Sequence, residues 1–292
     1  MNILILGAKG TLGGELARHL NNNSEARLAA WDLGDLDITD NLQTIEAISR
    51  IAPDIIFNCA AYNFVDKAED EPEKAMQINF HAVENLARAA SKCGAVFVHY
   101  STGYVFDGEK RGGYDENDKP NPKSVYANSK YLGEQAALSL CPKTYLIRLN
   151  QLFGGAASGS SSKKSFVDIV LRMAESGKRE FDFVDDEIST RAYAPDLAKA
   201  SIELAGAAGS GAQKYPYGIY HLTNEGCASW CEWAREILEI ARIPARINAV
   251  KSDSFPRKAA RPKNSSLNNN KFPKLRNWRE ALKEYIMGIQ HP

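Results

Sequence analysis

The sequence predicts an α/β fold, a Rossmann-type doubly wound parallel sheet followed by a smaller mixed α/β lobe. Three observations carry this prediction. Short apolar runs alternate with amphipathic stretches through the first half of the chain, a glycine-spaced turn follows the first run, and the alternation weakens after Leu149. Apolar runs of this length read as strands buried on both faces. Helical stretches between such strands act as crossovers, which cover the two faces of a parallel sheet.

The runs are Ile3 to Leu6, Leu28 to Trp31, Ile55 to Phe57, Val96 to Tyr100 and Tyr145 to Ile147. After the first, Leu12, Leu16 and Leu20 recur at the spacing of one helix face. In the second half, helices are predicted at Ser165 to Ser176, Pro195 to Ala205, Ser229 to Ile240 and Trp278 to Gly288. The expected division is a first unit at 1–150, with 193–222 folding back onto it, and a substrate lobe at 151–292. Two small-residue tracts, Gly154 to Ser165 and Gly206 to Gln213, interrupt the pattern and read as a mobile loop and a surface connection.

Bulk properties exclude several classes of function. The 292 residues carry 36 Lys plus Arg against 36 Asp plus Glu, so no net field favours nucleic acid or an acidic membrane surface. The five cysteines are scattered without a CxxC, as expected of reduced thiols in a cytoplasmic protein. Cys227 and Cys231 have no further metal-ligating neighbour, and no metal is predicted. Met1 leads directly into Ile3 without a basic segment or an apolar stretch long enough for a signal or membrane span.

Gly7, Gly10 and Gly13 stand in GAKGTLG, between the first strand and the first helix. Glycine suits a tight turn and the close approach of backbone to a pyrophosphate, whose charge then meets the N–H groups at the helix start. The spacing is GxxGxxG rather than GxGxxG, and alone it also fits an ordinary turn. Asp32 follows the second run, 19 residues beyond Gly13, where an acidic side chain can accept ribose hydroxyls. Together these features predict a dinucleotide. Asp32 opposes a 2′-phosphate and Lys9 attracts one, so NADH and NADPH both stay open.

Tyr126 is the one tyrosine followed four residues later by lysine, in SVYANSKYLGEQAA, which places Tyr126 and Lys130 on one helix face. Such a pair is commonly just a solvated face. Here other polar residues, Asn58 to Ala61 and Ser101 with Thr102, fall just beyond apolar runs, where an open α/β sheet forms its ligand crevice. A phenol titrates near 10, and an adjacent ammonium is expected to lower that value. Tyr126 would then protonate a carbonyl oxygen while hydride reaches its carbon, with Thr102 holding the same oxygen. The bland alternative for Ser101 and Thr102 is a turn cap.

With these residues in view, the chain resembles the extended short-chain dehydrogenase/reductase superfamily and, within it, the dTDP-4-dehydrorhamnose reductase family. The resemblance spans nearly the whole chain: GAKGTLGGEL, LDITD at 36–40, VDKAEDEPEKAMQIN at 65–79, STGYVFDG at 101–108, VYANSK at 125–130, YAPDLA at 193–198, GIYHL at 218–222 and ARPKNSSL at 260–267. It implies a catalytic triad of Thr102, Tyr126 and Lys130. It implies a cofactor site at Gly7, Lys9, Gly10, Thr11, Leu12, Gly13, Asp32, Asp37, Ile38, Ala60, Ala61 and Tyr62, joined by Tyr126 and Lys130. Val105, Phe106, Asp107, Asn150 and Arg261 would face the substrate. The implied reaction is NADH- or NADPH-dependent reduction of the 4-keto group of a dTDP-activated 6-deoxy sugar, towards dTDP-L-rhamnose, by a monomer or homodimer.

Three departures touch the expected substrate side. The usual Asp of STDYVFDG is Gly103, the RTSW segment reads Arg148, Leu149, Asn150, Gln151, and the usual Gly-x-Pro-Thr reads Ser189, Thr190, Arg191, Ala192. A reductase of another nucleotide sugar is therefore one alternative. A non-catalytic dinucleotide-binding protein, resembling the regulatory subunit of methionine adenosyltransferase, is another. The Asp-Glu pair of the related dehydratases is replaced by Gly103 and Tyr104, which disfavours elimination chemistry.

Overall fold

The computed structural model describes residues 1–21, 26–155, 164–206 and 214–290. Most of both small-residue tracts, at 156–163 and 207–213, lies outside the described residues. In chain order the elements begin with β1 (Asn2–Leu6), α1 (Thr11–Leu20), β2 (Arg27–Trp31), α2 (Asn41–Ile51) and β3 (Ile55–Asn58). Then come α3 (Lys67–Asp70), α4 (Pro72–Met76), a π-helical turn at Gln77–His81, α5 (Ala82–Cys93) and β4 (Val96–Thr102). A 3₁₀ turn at Gly103–Val105 leads to α6 (Val125–Leu140), β5 (Thr144–Leu149), β6 (Leu152–Phe153), α7 (Phe166–Glu175), β7 (Glu180–Val184) and β8 (Ile188–Tyr193). The chain closes with α8 (Ala194–Leu204), β9 (Gly218–His221), β10 (Asn224–Ser229), α9 (Trp230–Ile240), β11 (Arg246–Val250), β12 (Leu275–Asn277) and α10 (Trp278–Gln290).

Six strands form one parallel sheet in the order β2-β1-β3-β4-β5-β9. The five apolar runs are its first five strands, of which β1, β3, β4 and β5 are buried towards both faces and β2, at the edge, is only half-buried. One face packs under α1 and α8 through a cluster that includes Ile3, Ile5, Leu16, Phe57, Ile147 and Leu197. The other packs under α2, α5 and α6 through Leu4, Ile48, Ile56, Leu86 and Phe97. From β1 the chain runs outward to β2 and then back past β1 to β3, so the strand order reverses there and opens a crevice above the carboxyl ends of β1 and β3.

The remaining strands form a four-stranded sheet, β12-β10-β8-β6, and a pair, β11-β7. Helices α7, α9 and α10 cover a separate core built on Phe153, Phe181, Trp233 and Trp278. The predicted helices of the second half form within a residue or two of their expected ends. Its strands were not foreseen, since β8 (ISTRAY) and β10 (NEGCAS) are too polar to read as apolar runs and β6 and β12 have only two and three residues. Ser165 and Ser229 each close a capping box, with Asp168 and Glu232 as the reciprocal partners, and so fix the starts of α7 and α9. No helix among the described residues is long and apolar enough to cross a membrane.

Beneath the main sheet, Arg148 of β5 and Glu134 of α6 form a two-pronged ion pair at 2.9 and 2.6 Å, with both side chains almost fully buried. Phe106 stacks against the guanidinium at 5.0 Å. Removing one partner strands a charge in the interior. Glu134→Ala is therefore expected to lower stability by about 3–5 kcal/mol in denaturant melts.

Candidate active site

The glycine turn is built by backbone packing. Gly7 takes φ +77°, a left-handed conformation, and a Cβ there would lie 2.8 Å from the Ala60 nitrogen. A Cβ on Gly13 would lie 2.2 Å from the Gly7 carbonyl oxygen. These two positions let β1, α1 and the loop after β3 converge. Helix α1 starts at Gly10 with no side-chain cap and no acidic residue in its first turn, so its leading N–H groups and positive dipole end are available to an anion.

Above this turn lies a cleft of about 820 Å³. Its wall includes Gly7, Gly10, Thr11, Leu12 and Gly13 from the turn, Asp32, Asp37 and Ile38 beyond β2, and Ala60, Ala61 and Tyr62 beyond β3. The Asp32 carboxylate accepts the Lys9 and Leu33 N–H groups, each at 2.9 Å, which pins the end of β2 to the glycine turn. Lys9 itself is exposed and does not line the cleft. Its part in the arrangement is this backbone contact with Asp32.

Thr102, Tyr126 and Lys130 come together on the same wall. Thr102 ends β4, and its hydroxyl oxygen accepts the Tyr104 N–H at 3.2 Å. Helix α6 is capped by Ser124 and buries both Tyr126 and Lys130. The Tyr126 hydroxyl donates to Asn63 at 3.5 Å, and Tyr104 meets its ring edge-on. Burial pushes this phenol up to about 12, against a smaller opposing effect from the Thr102 hydroxyl. The expected lowering by Lys130 is thus corrected. The ammonium donates to the Tyr100 carbonyl at 2.7 Å and is not among the groups that act on the phenol. Burial instead lowers Lys130 itself to about 8, which Glu134 and Cys59 only partly offset.

The substrate-facing expectations need more correction. Val105 and Phe106 are fully buried in a cluster with Tyr114 and Leu267, where Phe106 stacks on Tyr114 at 4.1 Å, and neither reaches the cleft. Asp107 accepts the Tyr114 hydroxyl at 2.5 Å and the Asn121 amide at 3.0 Å, so it braces the following loop rather than the cavity. Asn150 does lie at the cleft wall, but its amide is committed within the protein to Gly103, Ser265 and Thr190. Arg261 lines the cleft while paired with Asp66 at 2.7 Å, and the neighbouring Lys258 pairs with Asp70 at 2.6 Å. These contacts join the 257–261 loop to the segment after β3.

Several residues at the site escaped the sequence reading. Asn79, in the π-helical turn, accepts the Tyr62 N–H at 2.9 Å and donates to the Tyr62 carbonyl and the Ser129 hydroxyl at 3.0 Å each. It thereby fastens the loop after β3 to α6. Phe166, Trp230 and Arg257 also line the cleft, with Arg257 and the Trp230 indole both on Glu187. Behind Trp230, the fully buried Arg191 stacks on Trp233 at 4.3 Å and donates to the carbonyls of Ser189, Ala228 and Ser229. The serine starting α9 was a legible signal, but the strands that bring this helix to the cleft were not.

This geometry has close counterparts. The sequence profile described as the RmlD substrate binding domain matches residues 1–290. A dTDP-4-dehydrorhamnose reductase of Aggregatibacter actinomycetemcomitans is 36% identical, over 96% of this chain and 97% of its own. Crystal structures of dTDP-4-dehydrorhamnose reductases superpose along almost the entire chain. That of Clostridium acetobutylicum has a TM-score of 0.91 at 34% identity, covering 99% of this chain and 100% of its own. That of Bacillus anthracis, in complex with NADP, has a TM-score of 0.89 at 34% identity, covering 98% and 99%. With agreement at this level in sequence and in backbone, the chain belongs to the RmlD substrate-binding-domain family.

Proposed function

We propose that this chain is an NAD(P)H-dependent reductase of the 4-keto group of a nucleotide-activated 6-deoxy sugar, converting dTDP-4-dehydrorhamnose to dTDP-L-rhamnose. The observation that carries the reading is the meeting of Thr102, Tyr126 and Lys130 on one wall of the cleft that also holds the glycine turn. The names of the relatives and the NADP complex of the Bacillus anthracis enzyme support it. The division into a dinucleotide-binding unit, 1–150 with 193–222, and a substrate lobe at 151–292 is part of the same reading, as is a cytoplasmic setting.

The residues present fit a dinucleotide. A side chain at Gly7 or Gly13 would fill the space where the turn must stay thin, and the uncapped start of α1 suits the pyrophosphate. Asp32 would read the adenosine ribose, and Asp37, Ile38 and Ala60 to Tyr62 would enclose the adenine half. Lys130 would hold the nicotinamide ribose. When bound, the dinucleotide supplies hydride to the carbonyl carbon.

The protein's own contribution is to the oxygen. Thr102 donates a hydrogen bond to the carbonyl and orients it. Tyr126 delivers its proton as charge develops there. A phenol pushed up to about 12 is fully protonated at neutral pH, the form that a proton donor to a nascent alkoxide requires. The four-residue offset from Tyr126 to Lys130 keeps both groups on the cleft side of α6.

Consumption of the nicotinamide absorbance with purified protein and dTDP-4-dehydro-6-deoxy sugars tests the reading directly. Tyr126→Phe is expected to retain dinucleotide affinity and lose about a hundredfold or more in turnover. Near wild-type rates in that variant would remove the assigned role. For Asp32→Ala, titrations should show NADH binding weakened by about tenfold, the worth of one charge-assisted hydrogen bond, with NADPH little changed. Equal losses for both would mean that Asp32 does not read the ribose.

Lys130 gives a pH signature of opposite sign in binding and stability. Between about 8 and its ordinary 10.5, the folded chain holds the neutral amine while the unfolded chain stays charged, so this residue adds stability as pH rises through that window. Dinucleotide affinity should fall over the same rise, because the ammonium loses its charge and one donor. Lys130→Met should flatten both profiles, as read by thermal melts and fluorescence titration across pH 7–10.

A further inference from the structure

The departures at Gly103 and Asn150 meet in space. Gly103 opens the 3₁₀ turn directly after Thr102, and its N–H donates to the Asn150 side-chain oxygen at 3.1 Å. The other end of that amide donates to the Ser265 carbonyl at 2.5 Å and to the Thr190 hydroxyl at 3.4 Å. A Cβ on Gly103 would lie 2.6 Å from both the nitrogen and the oxygen of the Asn150 amide and 2.7 Å from the Ser265 carbonyl oxygen. No side chain of any size at position 103 is compatible with Asn150 as placed. Asn150 is itself buried and has little room to yield.

We infer that Asn150 and Gly103 are one coupled device that positions Thr102 for the reaction. The amide takes the space that a side chain at 103 would need. It holds the turn after β4 against the end of β5, the middle of β8 and the 264–267 segment, so four separate stretches of chain are fixed by a single group. Thr102, whose hydroxyl also accepts from this turn at Tyr104, is thereby held at the cleft wall. Asn150 is accordingly a positioning residue rather than a substrate ligand, and a side chain at 103 requires the amide to give way.

The inference rests on the reductase reading, and a double-mutant cycle tests it: Gly103→Asp, Asn150→Ser and the double variant, which restores the family's residues at both places. Turnover, dinucleotide affinity and melting temperature are measured for each, with kinetics run well below every melting temperature so that unfolding does not enter. Each single variant should lose about tenfold or more in kcat with KM and dinucleotide affinity little changed, and the double variant should lose clearly less than the two single losses combined, the remaining loss reflecting the contact of a Cβ at 103 with the Ser265 carbonyl. Melting temperature should fall in Gly103→Asp and recover in part in the double variant. Losses that simply add in the double variant, or an Asn150→Ser variant with wild-type kcat, would overturn the coupling. If wild type itself fails to turn over dTDP-4-dehydro-6-deoxy sugars, the reductase reading fails and the positioning of Thr102 falls with it, whatever the melting temperatures show.

Discussion

Backbone contact at the first turn is the constraint on which the rest of the site depends. The Gly7 carbonyl, the start of α1 and the loop after β3 approach so closely that two side chains are excluded, and the leading N–H groups of α1 come to the cleft as a result. Every other component is placed relative to that contact. The parallel register of β1 with β2 and β3 sets the heights of Asp32 and Ala60, while β4 carries the order on to Thr102. A sheet buried on both faces holds these strand ends rigidly, and its loops are left to carry the chemistry.

The electrostatics of the cleft wall that carries Tyr126 and Lys130 follow from burial more than from pairing. Tyr126 and Lys130 share a helix face and a cavity, yet the phenol goes up and the amine goes down, each driven away from its charged form by loss of water. The amine finds a backbone carbonyl instead of the phenol. What results is a neutral phenol beside an amine that titrates close to physiological pH.

Much of the first half was legible in the sequence because its signals are local. Strands buried on both faces read as apolar runs, glycines at fixed offsets marked the turn, and the Tyr126 to Lys130 spacing marked a helix face. The second half was only half legible. Its helices announced themselves through caps and periodicity, but β8 and β10 carry mostly polar residues and β6 and β12 have only two and three residues, so none of them reads as an apolar run. Trp230 and Arg257 reach the cleft through this half and were missed with it, while Val105, Phe106 and Asp107 were misplaced. Resemblance supplied their segment, but which residues of a 3₁₀ turn face a cavity and which face a core depends on packing against Tyr114 and Leu267.

The π-helical turn at Gln77–His81 carries an implication about chain length. Such a turn holds one residue more than an α-helix of the same rise, and each residue rotates a helix by about 100°. Deleting one residue from this stretch would swing Asn79 away from both Tyr62 and Ser129 at once, even with every amino-acid identity preserved. This stretch of the protein should consequently tolerate many replacements of its exposed side chains while rejecting any insertion or deletion.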